Sequence, residues 1–177
     1  MDKQIKYIVF KTKWGWFGLA ATENRLFRTC LPHHNRKTVK SWLLKGLDTP
    51  TYDKSLFAPL QKQIIAYFKG RTVNFRKDVP LALDYLSPFT KQVLTACRTI
   101  PLGQTATYSA LAKKLGRPRA TRAVGSALAK NPVPLIIPCH RIIRSDGQIG
   151  KFSAPAGPRL KAMLLDLEGA SHRHRTS

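Results

Sequence analysis

Three short runs rich in Ile, Val, Phe and Trp open the chain, at residues 4–11, 15–20 and 24–31. Turn signals at Trp14-Gly15 and Glu23-Asn24 separate them, so the pattern predicts three strands. A polar, basic stretch from Pro32 to Lys40 follows and reads as a loop. Leu56, Leu60, Ile64 and Phe68 then recur four apart, which predicts a helix over 56–68. Residues 71–84 read as irregular or briefly extended. A meander and a packing helix make residues 1–85 a small α+β domain.

The pattern changes at Ser87-Pro88. Serine is a good N-cap and proline is preorganised for the first helical position. The helix they open buries Phe89, Val93, Leu94 and Cys97, with Cys97 as core filler. A second helix runs from Tyr108 to Leu115 and stops at Gly116; a third runs from Arg119 to Lys130, after Pro118. In the third, Ala120, Ala123, Val124, Ala127 and Leu128 form the core side. Its other side carries Thr121, Arg122 and Gly125. This helix–turn–helix spacing occurs in DNA-binding proteins and in ordinary helical cores alike. Residues 141–144 and 148–152 flank Asp146-Gly147, a hairpin signal. A last helix spans Pro158 to Glu168, with Leu160, Met163, Leu164 and Leu167 inside and Gly169 as its stop. These elements make a second domain, 86–169, and leave 170–177 as a basic, disordered tail.

Charge sharpens the picture. Thirty-one Lys and Arg face nine Asp and Glu, a net of +22 at pH 7. The excess is not confined to a tail: residues 1–85 hold 16 basic and 6 acidic groups, and 86–177 hold 15 and 3. Such a field favours a polyanion, because each neutralised phosphate releases counterions. The longest apolar runs, such as Pro132–Pro138, are too short to span a bilayer. Lys3, Lys6, Lys11 and Lys13 break any secretory pattern, so the expected location is cytoplasmic, with no membrane partner. Three widely spaced cysteines form no disulfide framework.

One of them stands in unusual company. Cys139 follows an apolar run and Pro138, and precedes His140 and Arg141. A thiolate is the nucleophile, and a histidine that takes the thiol proton would activate it. Neighbours on an extended strand point to opposite sides, so the pair needs a bend or a bridging water; Pro138 can supply the bend. Only two glutamates exist, Glu23 and Glu168. Glu168 sits at a helix end whose dipole disfavours an anion. It is a candidate third member that orients His140; the alternative is a solvated surface glutamate. Arg122, beside small residues, could project from a helix that approaches a groove closely. The alternative there is a solvated arginine.

The segment NPVPLIIPCHRII, Asn131 to Ile143, resembles the active-site signature of the O6-alkylguanine-DNA alkyltransferases, the methylated-DNA–protein-cysteine methyltransferases. Upstream, TYSALAKKLGRPRATRAVGSALAKNP resembles their helix–turn–helix; downstream, LLDLEG resembles their terminal glutamate segment. The likeness is strong over 86–169 and architectural over 1–85. It implies an α+β fold: a small ribonuclease-H-like N-terminal domain and a mainly helical C-terminal one with a helix–turn–helix and a short hairpin. It implies DNA repair by direct reversal, with an alkyl group moving once per molecule from O6 of guanine, or O4 of thymine, to Cys139. His140, through water, would deprotonate Cys139; Glu168 would hold His140, and Asn131 would support the turn. Tyr108, Ile142, Phe152, Ser153 and Lys161 would surround the base. Arg122 would fill the stack vacated by a flipped nucleotide, with Arg119, Ala120, Thr121 and Gly125 beside it in the minor groove. The implied partner is double-stranded DNA, and single-stranded DNA as well, bound by a monomer that is a candidate for cooperative binding. Neither metal nor organic cofactor is required.

The loop IGKFSAPAGPRLK departs from the family pattern. Phe152 stands where tyrosine is common, Ala154-Pro155 are unusual, and the loop is slightly longer, which puts tolerance for bulky alkyl groups in question. Two other functions stay open: a protein that binds lesions without transfer, and a cysteine hydrolase using Cys139, His140 and Glu168. Cys30 with His33 and His34 offers three metal ligands and no fourth, so a basic loop is the expectation there.

Overall fold

A computed structural model describes residues 4–75 and 79–172. The chain divides into two compact units, Met1–Tyr85 with Pro132–Pro134, and Leu86–Asn131 with Leu135–Ser177. Most of the basic tail, from Arg173 on, lies outside the described residues.

In the first unit, β1 (Ile5–Thr12), β2 (Gly15–Thr22) and β3 (Arg25–His33) form an antiparallel meander. Glu23 and Asn24 both take positive φ, 50° and 59°. A left-handed pair at a two-residue turn matches the twist of the strands it joins. The expected loop after Pro32 is instead the end of β3 followed by helix α1 (Arg36–Leu44). Asn35 caps it, accepting from the backbone N–H of Lys37 and Thr38 at 2.8 and 3.2 Å. Val39 and Leu43, one turn apart, bury against Tyr7, Val9, Ala20 and Cys30. The basic residues that suggested a loop are the helix's solvated face. Strand β4 (Thr51–Tyr52) returns parallel to β1, giving the order β3-β2-β1-β4, a four-strand ribonuclease-H-like topology.

Helix α2 (Ala58–Phe68) covers the other sheet face, with Phe68 against Trp14 and Phe17 at ring distances of 5.3 and 6.1 Å. Cover on both faces explains why β1 and β2 are apolar along their length rather than alternating. The briefly extended stretch expected within 71–84 pairs at Leu81 with Leu26. Pro132–Pro134 also belongs here: Thr29 donates from N–H and Oγ1 to the carbonyls of Pro132 and Pro134, at 2.9 and 2.8 Å.

In the second unit, α3 (Pro88–Arg98) starts where expected, capped by Ser87. Its buried face is Thr90, Val93, Leu94 and Cys97, while Phe89 is half-buried. Helices α4 (Tyr108–Lys114) and α5 (Thr121–Ala129) form the helix–turn–helix. Helix α5 begins two residues later than the pattern suggested. Arg117 to Ala120 instead makes a β-turn, Ala120 N–H to Arg117 carbonyl at 2.9 Å, with Pro118 at the position that favours its fixed φ. Ala123, expected inside, is exposed; Val124, Ala127 and Leu128 carry the core side alone.

The hairpin reduces to its turn. Gly147 N–H donates to Arg144, and Arg144 N–H to Gln148, but among the described residues no strand follows. Strand β6 (Ile142–Ile143) pairs in parallel with β5 (Ala106–Thr107) instead. Helix α6 (Gly157–Leu167) buries Leu160, Lys161, Leu164 and Leu165. Met163, expected inside, is 42% exposed, and a lysine takes an inward position. Gly169, at φ 65°, ends the helix as expected, and Ala170 packs with Ile143 and Leu165 rather than joining the tail.

Gly15 supports one test of the first unit. Its φ is 129°, and an added Cβ would lie 2.6 Å from the His33 carbonyl oxygen. Gly15→Ala is expected to destabilise by about 2 kcal/mol or more, combining left-handed strain with a backbone clash. Urea unfolding followed by Trp fluorescence measures it; a loss below about 0.5 kcal/mol would show that β1–β2 adjusts freely.

Candidate active site

The chain approaches Cys139 through two sharp bends. Leu135, buried, holds φ at 78°, a strained value for a leucine that persists only where packing over-determines it. Pro138, at φ −81° and ψ 62°, makes an inverse γ-turn closed by Cys139 N–H to the Ile137 carbonyl at 2.8 Å. Residues Cys139–Arg141 then form a single 3₁₀ turn. At three residues per turn, successive side chains point about 120° apart. One turn can therefore present Cys139 to a pocket while His140 and Arg141 face inward, which an extended strand could not do.

That pocket has a volume of about 720 Å³, and Cys139 lines it with Tyr108, Arg122, Gly125, Phe152 and Ser153 among others. Cys139 is 8% exposed. Asn131 Nδ2 donates to its Sγ at 3.1 Å and to the Ile137 carbonyl at 2.9 Å, tying the thiol to the bend before it. Behind Cys139, His140 Nε2 meets Glu168 Oε1 at 2.8 Å, with both side chains essentially inaccessible. Arg141 binds the same carboxylate through Nε at 2.8 Å and a terminal nitrogen at 2.9 Å, and also donates to the Ile100 carbonyl at 2.6 Å. Lys161 is fully buried, donates to the Ile142 carbonyl, and lies 5.7 Å from the centre of the Tyr108 ring.

The electrostatics follow from burial and these partners. Burial alone would raise the Glu168 pKa, but hydrogen bonds from His140 and Arg141 outweigh it and bring it down to about 2. Burial lowers His140 despite the pull of Glu168, so the ring is neutral at pH 7. A neutral ring facing an ionised carboxylate donates through Nε2, which leaves Nδ1 as the acceptor. Nδ1 is buried without a hydrogen-bond partner among the described residues. Burial raises the Cys139 thiol, with Asn131 and Lys161 pulling the other way. Lys161 itself is lowered to about 8 by burial.

The chain can now be set beside known proteins. The family model described as 6-O-methylguanine DNA methyltransferase, DNA binding domain, matches residues 88–170. The methylated-DNA–protein-cysteine methyltransferase of Methanosarcina acetivorans is 39% identical over 123 residues, 70% of this chain and 76% of that protein. The Mus musculus protein of the same name is 49% identical over 82 residues, 46% of this chain and 38% of the mouse one. This chain belongs to the methylated-DNA–protein-cysteine methyltransferase family. The crystal structure of Mycobacterium tuberculosis OGT in complex with DNA agrees, at a TM-score of 0.75 and 31% identity, covering 93% of this chain and 92% of that one.

Of the residues that the family resemblance singled out, the fold gathers Tyr108, Arg122, Gly125, Cys139, Phe152 and Ser153 around one pocket. Asn131, His140 and Glu168 stand behind it. One expectation needs correction. Ile142 does not line the pocket: pairing of β6 with β5 turns its side chain into the core, and only its carbonyl is engaged, by Lys161. Lys161 lies near the pocket, beneath the Tyr108 ring. Arg119 and Ala120 lie in the turn before α5 and Thr121 is its first residue, next along the helix to Arg122. Sequence reasoning missed Arg141 as the second partner of Glu168. The available signal was an arginine next to Cys-His in a chain with few acids.

Among the described residues, no group of three or more His, Cys, Asp or Glu is placed to hold a metal ion, and no helix is long and apolar enough to cross a membrane. Cys30 is buried beneath α1, where burial pushes its thiol up to about 11. His33 and His34 stack on each other, ring centres 4.0 Å apart.

The depressed Glu168 pKa makes a stability prediction. A carboxyl lowered from 4.5 to about 2 contributes stability that is present above 4.5 and lost as pH falls toward 2. The shift corresponds to about 3 kcal/mol. Glu168→Gln should cost at least that at pH 7, and the gap to wild type should narrow as pH drops below 4.5. Urea unfolding across pH 7 to 3 reads both; a gap constant with pH would mean that the carboxylate is not held by its partners.

Proposed function

We propose that this protein repairs DNA by direct reversal, moving a methyl or other alkyl group from O6 of guanine onto Cys139, one group per chain. It is a methylated-DNA–protein-cysteine S-methyltransferase, and its partner is DNA. The carrying observation is a single turn of backbone that exposes a thiol at a pocket while its neighbour is locked to a buried carboxylate.

The chemistry follows from that geometry. At rest Cys139 is a thiol and His140 is neutral. A water between Sγ and His140 Nδ1 would satisfy the lone buried nitrogen and carry the thiol proton to it. Glu168 then stabilises the imidazolium, and Lys161 and Asn131 stabilise the thiolate. Sulfur attacks the alkyl carbon in line; the S–C bond forms as the C–O6 bond breaks, and the electron pair leaves on guanine. The proton taken from sulfur is the one that the released guanine finally needs, so the sum is neutral. A thioether is a poor leaving group, so each chain reacts once.

O6 of a stacked guanine cannot reach a thiol at the bottom of a pocket, so the nucleotide must leave the helix, at a cost of roughly a few kcal/mol. Arg122, exposed on α5 at the pocket, is positioned to fill the gap. Thr121 and Gly125 beside it, with Ala120 and Arg119 before it, let the helix backbone come close to the groove. Tyr108 supplies a ring against the base and a hydroxyl for it. A DNA partner assigns the protein to the compartment that holds DNA.

Duplex DNA carrying labelled O6-methylguanine tests the reaction. The label should appear on the Cys139 peptide at one equivalent or less, with none transferred by Cys139→Ala. Label left on DNA would point to a lesion binder, and turnover beyond one equivalent to a hydrolase; either outcome removes the proposal. Arg122→Ala tests the flipping role. It should slow repair in duplex about tenfold, equivalent to about 1.4 kcal/mol, and leave transfer from free O6-methylguanine unchanged. Equal losses on both substrates would take the finger role away.

A further inference from the structure

The loop from Gln148 to Ser153 has two sides. One lines the Cys139 pocket; the other, with the start of α6, lines a second cavity of about 440 Å³. Arg144, Lys151 and Arg159 converge on this second space, and no acidic residue lines it. Arg144 pairs with Asp146 at 2.9 Å, but their side chains are 58% and 41% exposed, and a pair so solvated contributes little. Lys151 and Arg159 make no hydrogen bond or ion pair among the described residues. Like charges held around one cavity repel, and an anion inside it relieves that repulsion. Arg144 and Lys151 border both cavities, so the loop is a thin partition between the reacting pocket and the basic one. Lys151 and Arg159 both come from the stretch where the sequence departs from the family pattern.

We propose that this second cavity is a phosphate site that grips the backbone of the lesion-bearing strand next to the flipped nucleotide. The inference rests on the repair reading above. A nucleotide seated in the Cys139 pocket carries a phosphate on each side of its sugar, and the partition puts a cationic cavity beside that seat. Arg and Lys suit such a ligand, arginine through its planar fork and lysine as a point charge. The site adds nothing to bond making at sulfur; it adds affinity for DNA and holds the strand while the base is out.

Arg159 lines the second cavity and not the first, which makes it the probe. Binding of full-length protein to duplex with one O6-methylguanine is measured in a Cys139→Ala background, between about 50 and 200 mM salt. Arg159→Ala should flatten the log–log salt dependence by about 0.9, the share of one phosphate, while Arg159→Lys retains it. With Cys139 restored, both variants should take the methyl group from free O6-methylguanine at the wild-type rate, which shows that the fold and the thiol are intact. An unchanged salt slope in Arg159→Ala overturns the proposal. So does calorimetry in which inorganic phosphate binding is lost with Arg159 while the DNA slope stays the same, since the cavity would then take a free anion and not the strand. Failure of the repair reading looks different: wild-type protein would take no methyl group from either substrate.

Discussion

The buried carboxylate of Glu168 is the constraint around which the catalytic unit is built. Taking an unpaired carboxylate out of water costs several kcal/mol, and this one is made tolerable by donors from His140 and Arg141. Because Arg141 also reaches the Ile100 carbonyl, one charge ties together the end of α6, the turn that carries Cys139 and the segment after α3. Position and chemistry come from the same bonds. The carboxylate that fixes the His140 ring would also stabilise the positive charge that the proposed reaction puts on it.

Burial limits that stabilisation, and Arg141 adds to the limit. A carboxylate facing histidine alone would raise the imidazole pKa and hold a proton there at rest. Burial, with a smaller push from Arg141, outweighs that pull and keeps His140 neutral at rest. The thiol is held back in the same manner: burial favours the protonated form, and Asn131 and Lys161 only partly offset it. For a protein that reacts once, a resting thiol is an advantage, since a standing thiolate would be consumed by stray electrophiles. In the proposed reaction the relay supplies nucleophilicity when a substrate carbon is in place, rather than continuously.

Much of this was legible in the sequence, for identifiable reasons. Cys139, His140 and Glu168 stood out because a thiol beside an imidazole, and a carboxylate at the wrong end of a helix, are unusual in this composition; Asn131 came only with the family resemblance. The helix starting at Pro88 and the stop at Gly169 were marked by local chemistry. What stayed hidden depended on tertiary context. Helix α1 was masked by its own solvated basic residues, although Asn35 and the Val39–Leu43 spacing carried the signal. The 3₁₀ turn at Cys139 was legible only as a bend after Pro138, because a single turn is too short to leave a hydrophobic period. Met163, expected inside, is exposed, while Lys161 is buried because it finds the Ile142 carbonyl and the Tyr108 ring, partners no periodicity reveals. The hairpin failed because β6 had a better partner in β5.

The pocket divides into a fixed part and an adjustable one. Its floor is Cys139 and Tyr108, set on a hydrogen-bonded turn and on a helix capped by Thr107. Its far wall is the loop through Gly150, Lys151, Phe152 and Ser153, which has no strand ladder to hold it. The two meet at Gly150, where even a methyl group would come within 2.7 Å of the Tyr108 hydroxyl. That close approach, with Ile149 packed against Ile143, Leu165 and Ala170, locates the start of the loop. The remainder of the wall, Lys151 to Ser153, stands apart from the Asn131–Cys139 and His140–Glu168 bonds, so a change of length or side chain there leaves those bonds in place.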